Sequence, residues 1–182
     1  MLELNFDPFP VITTERLVLR KVKVSDADEV FFLRSDLGVL QYLDRKPAVS
    51  AEEALEWIEK ILQSEKNNEV ITWGITIKSG SKLIGTLCFW NINKQHYRAE
   101  IGYVLHPSYQ GKGIMQEAVT PVLDYGFNTM KLHSVEGNVN PNNTSSIKLL
   151  ERNNFVREGY FKENYFFNGT FSDSAIYSLL RK

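Results

Sequence analysis

His106-Pro107-Ser108-Tyr109-Gln110-Gly111-Lys112-Gly113-Ile114-Met115 is the stretch whose residue types and spacing most suit chemistry. Two glycines flank Lys112, so the backbone there can approach a ligand closely and turn several N–H groups one way. An amphipathic run follows at once. The first turn of a helix would add free N–H groups and the positive end of its dipole, and the two features together make a pyrophosphate site. An ordinary glycine-rich turn is the plainer reading of the glycines alone. Spacing excludes two other phosphate binders. The P-loop needs Ser or Thr after Gly-Lys, and Gly113 follows Lys112; the dinucleotide fingerprint needs a third glycine where Gln116 stands. His96, His106 and His133 share no metal-ligand spacing, so no metal is expected. Cys88 reads as a small core residue rather than a nucleophile. Trp73, Phe89 and Trp90 also read as core, with room for one of them to face a groove.

The elements that must position this loop can be read from periodicity. Thr14–Val22 alternates in the manner of a strand. Ser25 then reads as a helix cap with Asp26 and Asp28 in the first turn, and Ser50-Ala51-Glu52-Glu53 reads as a capping box before Leu55, Ile58 and Leu62. Val70–Lys78 and Lys82–Trp90 flank the turn Ser79-Gly80-Ser81, and Arg98–His106 makes a further strand. A helix is predicted over Gly113–Thr129, bent at Pro121, and another begins near Asn143. Asn168-Gly169, a type I′ signal, joins strands near Glu158–Phe167 and Thr170–Leu180. The order β-α-α-β-β-β-α-β-α-β-β predicts an α+β fold with a mixed, largely antiparallel sheet of about seven strands and about four helices.

Composition bounds the remaining choices. The chain has 182 residues, 43% hydrophobic and 12% aromatic, which is enough for a core and too apolar for disorder. No repeat or linker divides it, so residues 1–182 read as a single domain. A net charge of −1 gives no general attraction to nucleic acid or anionic lipid. One cysteine excludes an intrachain disulfide. No apolar run approaches the ~18 residues of a membrane span. MLELNFDPFP lacks the basic start and apolar stretch of a secretion signal, so the expected location is cytoplasmic.

Gln110-Gly111-Lys112-Gly113 after a strand resembles the Q/R-x-x-G-x-G/A acetyl-CoA loop of the GNAT N-acetyltransferases, and the chain as a whole is similar to their RimJ/RimL-like branch. Thr13-Thr14-Glu15-Arg16-Leu17-Val18-Leu19-Arg20 matches the branch's first strand, and Ala99-Glu100-Ile101-Gly102-Tyr103 its central strand. Asn143, Ser146 and Leu149 through Phe155 match the second cofactor motif, and Asn168-Gly169 through Leu180 the last hairpin. Met115 sits where many relatives have Gly or Ala. Asn154 replaces a usual Gly, and Asn tolerates a left-handed backbone.

The resemblance implies an acyltransferase that moves an acetyl group from acetyl-CoA to a primary amine by direct attack, with no metal. It implies that the pyrophosphate rests on backbone N–H groups of Gln110, Gly111, Lys112, Gly113, Ile114 and Met115. The pantetheine arm would pair with Val104 and Leu105 where the sheet splays, and Asn143 would bond that arm or cap the following helix. Glu100 matches the branch's base; its plainer reading is a salt-bridged strand residue. Leu150 stands where many relatives carry a thiolate-protonating Tyr, which leaves Ser146 as the donor, or else water, Tyr103 or Tyr109. The acceptor ranges over protein N-termini, a ribosomal protein's among them, and small molecules. Residues Leu37–Ala48 are expected to line its site. No nucleic-acid or membrane partner is implied, and the expected assembly is a monomer or homodimer. A non-catalytic acyl-CoA-binding protein on the same fold is the alternative function.

Overall fold

A computed structural model describes residues 1–181. Its centre is an eight-stranded sheet in the order β1-β2-β3-β4-β5-β6-β8-β7. The strands are β1 (Ile12–Thr13), β2 (Leu17–Lys21), β3 (Ile71–Ile77), β4 (Leu83–Asn93), β5 (Arg98–Leu105), β6 (Ser134–Val139), β7 (Val156–Phe167) and β8 (Thr170–Leu180). The α-helices are α1 (Ala27–Ser35), α2 (Leu37–Leu40), α3 (Ala51–Lys66), α4 (Ile114–Asp124) and α5 (Thr144–Arg152). Every neighbouring pair of strands is antiparallel except β5 and β6.

The fold class is as expected, with one more strand and one more helix. β1 has two residues, too few to show a period of two. α2 is one turn, held by Asp36, whose Oδ1 accepts from Val39 N–H at 2.9 Å. Ser25 does not cap the first helix. Asp26 instead accepts from Lys23 N–H and forms a largely buried ion pair with Arg20 at 2.7 Å. At α3, Glu53 reaches back to Val49 N–H rather than to Ser50. The helix through Pro121 keeps α-form only to Asp124. Tyr125–Thr129 then widens to a π turn, closed by Met130 N–H donating to Tyr125 C=O. Gly126 is required there, because a Cβ would stand 2.9 Å from the buried Phe89 ring. Asn168 and Gly169 both have positive φ, as a type I′ turn demands, and Asn154 is left-handed at φ 64°.

Successive strand residues face opposite sides of a sheet. Leu83 and Val104 pack with Val30 and Leu33 of α1 and with Ala54 and Ile58 of α3. Their chain neighbours Ile84 and Leu105 pack with Ile114, Ala118 and Val122 of α4 and with Leu150 of α5. The two helix pairs therefore cover opposite faces. Trp73 and Phe89 are fully buried at the centre of the larger cluster. Of the three aromatics, Trp90 is the one outside the core: it is 45% exposed and lines the cavity described below. This scaffold fixes the position where β5 and β6 begin side by side and then part.

Candidate active site

The parting of β5 and β6 is the central feature of the site. They pair in parallel only at Arg98↔Ser134, Ala99↔Val135 and Glu100↔Glu136. From Ile101 to Leu105, β5 keeps its β4 partners and has none in β6. β6 meanwhile continues through Gly137, Asn138 and Val139 against β8. The resulting gap opens into a cavity of about 660 Å³. Cross-strand pairing puts Thr86, Cys88 and Trp90 of β4 beside Val104, Gly102 and Glu100 of β5, and all six line the cavity on the α1/α3 side. Tyr42, Leu43, Asp44 and Arg45, from the segment between the first helices, close it, as do Asn143, Ser146 and Leu150.

Glu100 stands at the last paired position. Burial, with the neighbouring Glu136 charge adding to it, pushes its carboxyl up to about 7, partly offset by a hydrogen bond from Asn91. Glu136 is ion-paired to Arg98. Across the gap, Tyr103 Oη and Ser146 Oγ lie 2.7 Å apart in one hydrogen bond. Burial pushes the Tyr103 hydroxyl up to about 12, so it stays protonated at neutral pH. Asn143 caps α5, its Oδ1 accepting from Ser146 N–H at 3.1 Å, which fixes the residue carrying the hydroxyl. Leu150 is buried against Gly137, where a Cβ would stand 3.0 Å from it. Burial raises the Cys88 thiol to about 12, so it stays a protonated thiol at neutral pH.

The glycine loop lies outside the cavity lining, as does Leu105. Gly111 and Gly113 have φ of 70° and 71°, which an L side chain adopts only under strain. A Cβ on Gly111 would meet nothing within 4 Å, so the loop is open on that side. The first bond of α4 is Glu117 N–H to Gly113 C=O, which leaves the N–H groups of Ile114, Met115 and Gln116 outside the helix ladder. The side chains of Ile114 and Met115 are buried in the core, so only their backbone can face a ligand. Gln110 differs from expectation. Its N–H donates to Pro107 C=O and its side-chain amide donates to Leu105 C=O at 3.0 Å. It thus ties the loop to the end of β5.

Two further braces were not singled out by sequence reasoning. Glu117 accepts from Thr14 Oγ1 at 2.5 Å, from Arg16 N–H at 2.8 Å and from Arg16 Nε at 2.5 Å. Arg16 Nη1 also donates to Lys112 C=O at 3.0 Å, so the loop is fastened to the start of β2. Gln116 and Asn153 exchange side-chain hydrogen bonds at 3.0 and 3.2 Å, joining α4 to α5. All are long-range polar pairs with no local pattern. The resemblance placed Arg16 in the first strand without showing what it holds.

Residues 16–156 match the model of the acetyltransferase (GNAT) domain. The chain belongs to the GNAT acetyltransferase family. It is an acyltransferase for acetyl-CoA-dependent N-acetylation. It is 36% identical over 169 residues to "Uncharacterized N-acetyltransferase p20" of Bacillus licheniformis, covering 93% of this chain and 95% of that one. It is 28% identical to a spermidine N(1)-acetyltransferase of Vibrio cholerae, over 87% of this chain and 89% of the relative. The solved ribosomal-protein-S5-alanine acetyltransferase of Vibrio fischeri superposes with a TM-score of 0.84 at 27% identity, covering 94% and 96% of the two chains. That likeness agrees with the RimJ/RimL-like branch. Among the described residues, no helix is long and apolar enough to cross a membrane.

Proposed function

We propose that this GNAT protein acetylates a primary amine held in the cavity beneath α1 and α3, with Glu100 as base and the Tyr103–Ser146 pair as acid. One observation carries the reading: both groups line one cavity, at the position where the parallel pairing of β5 and β6 stops.

The loop fits a pyrophosphate. Backbone N–H groups from Gly111 to Gln116 hold it, since two left-handed glycines and a helix start turn those donors outward. Bound acetyl-CoA supplies the thioester carbonyl. Val104 lines the cavity. The carbonyl of Leu105 is taken by Gln110, so Leu105 acts on the arm only through the shape of its backbone. Asn143 uses its oxygen on the cap and keeps its amide N–H groups for the arm.

An ammonium has no lone pair, so Glu100 must accept a proton from the acceptor. A carboxyl near 7 is suited to this at neutral pH, half of it being ionised. Tyr103 and Ser146 then donate to the departing thiolate, with the N-terminal end of α5 adding positive potential. Relatives act on spermidine and on a ribosomal protein, so both small amines and a protein N-terminus belong among the acceptors to be screened. The test is a panel of primary amines with acetyl-CoA, read by thiol release. Turnover with at least one amine is expected. Coenzyme A binding without thiol release from any amine refutes the reading.

A further inference from the structure

Two arginines in the cavity wall have no part in the chemistry described so far. Arg34 comes from α1 and Arg45 from the segment before α3, and both line the cavity that Glu100 lines. Among the described residues neither forms an ion pair, and neither guanidinium donates a hydrogen bond to the protein. The Nε atom of each is buried and unpartnered. The Arg34 guanidinium lies over the Trp57 ring at 4.9 Å, so its plane is held in place. Each arginine feels electrostatically what surrounds it. Burial first and the nearby charge of Arg45 second bring Arg34 down to about 10, with Glu53 partly offsetting both. Burial also lowers Arg45. Arg45 and Glu100 both act on the Cys88 thiol, and Arg34, Arg45, Cys88 and Glu100 line the same cavity.

Two half-buried like charges in one cavity wall are unfavourable unless an anion joins them. The carboxylates of the cavity do not supply one. Asp173 is committed to Tyr160 Oη and Glu163 N–H. Asp44 and Glu100 are themselves raised by burial, which a paired carboxylate would not be. Guanidinium groups bind carboxylate and phosphate through planar, paired N–H donors.

Resting on the transferase reading above, we infer that the acceptor is a small amine that also carries an anionic group, a carboxylate or a phosphate, which Arg34 and Arg45 bind while its amine meets Glu100. A polycation such as spermidine would bring its second charge towards the arginines and be rejected.

The test compares L-alanine, L-alaninamide, phosphoethanolamine and spermidine as acceptors with the full chain and acetyl-CoA. Alanine or phosphoethanolamine should exceed alaninamide and spermidine at least tenfold in kcat/KM, and the better of the two tells carboxylate from phosphate. Arg34→Gln and Arg45→Gln, each checked for folding by its melting curve, should raise the acceptor KM about tenfold to a hundredfold and leave the acetyl-CoA KM unchanged. Equal or better use of alaninamide or spermidine overturns the inference and leaves the transferase reading standing, as does an unchanged acceptor KM in a folded variant. If no amine is acetylated, the transferase reading fails and calorimetry on the CoA-loaded protein decides the inference. N-acetyl-L-alanine or inorganic phosphate binding at least tenfold tighter than N-acetyl-L-alaninamide sustains it; equal or absent binding overturns it.

Discussion

Glu100 offers the sharpest perturbation, because one environment predicts two independent readouts. Its carboxyl titrates near 7 through burial and the Glu136 charge. At pH 7 about half of the molecules carry the carboxylate, at pH 6 about a tenth, and at pH 8 about nine-tenths. If Glu100 is the base, kcat/KM for the amine should rise about tenfold between pH 6 and pH 8, for an acceptor whose own amine titrates above pH 9. Glu100→Gln should lower turnover by about 10²-fold at pH 7 and abolish the limb centred near 7. The second readout is stability. Below its unfolded value of 4.5 the group is protonated in both states and costs nothing. Between 4.5 and 7 the unfolded chain ionises first, so the native state loses stability as pH rises, and above 7 the full penalty is present. Gln removes that penalty. Glu100→Gln should therefore melt higher than wild type at pH 8, with the gain shrinking towards pH 5. A wild-type rate that is flat from pH 6 to 8 would remove Glu100 from the chemistry. A melting difference that does not depend on pH would show that the carboxyl is not desolvated at all.

Four other substitutions test the rest of the site. Ser146→Ala should lower kcat by about tenfold to a thousandfold with little change in acetyl-CoA affinity, since charge develops on sulfur only in the transition state. Tyr103→Phe should lower kcat too, and the double variant should lose no more than the worse single one if the hydroxyls act in series; additive losses in steady-state kinetics would break the pair. Gly113→Val should weaken coenzyme A binding in calorimetry about tenfold or more and cost about 1–2 kcal/mol of stability at its left-handed φ, and undiminished binding would exclude the loop as the pyrophosphate site. Arg16→Met should raise the acetyl-CoA KM by up to about tenfold with kcat kept, a modest effect because Arg16 is 45% exposed and solvent screens its pairing with Glu117. An unchanged KM would mean that Lys112 holds its place without the clasp.

What could be read from the sequence divides along a physical line. Features carried by residues near one another in the chain were legible: the left-handed glycines around Lys112, the Asn168-Gly169 turn, and the Asn143 cap, whose Oδ1 meets an N–H three residues on. Short elements without a full period, β1 and α2, were not. Nor were polar contacts between distant segments. Tyr103 meets Ser146 across 43 residues, and Arg16 meets Glu117 across 101. No periodicity encodes such pairs; the sheet order alone decides them. Gln110 shows the limit within a motif. Its type was legible as part of the loop, yet its side chain turns back to Leu105 and its N–H to Pro107, so it shapes the loop while the donors free to face an anion begin one residue later. The acceptor site extends the same reasoning. Its wall draws on the strands β3 to β8, on α1, α3 and α5, and on the segment between α2 and α3, stretches with no shared pattern. Arg34 and Arg45 look like surface residues in sequence. They acquire chemical meaning only when the fold places two unpaired guanidinium groups beside a carboxyl that titrates near neutrality.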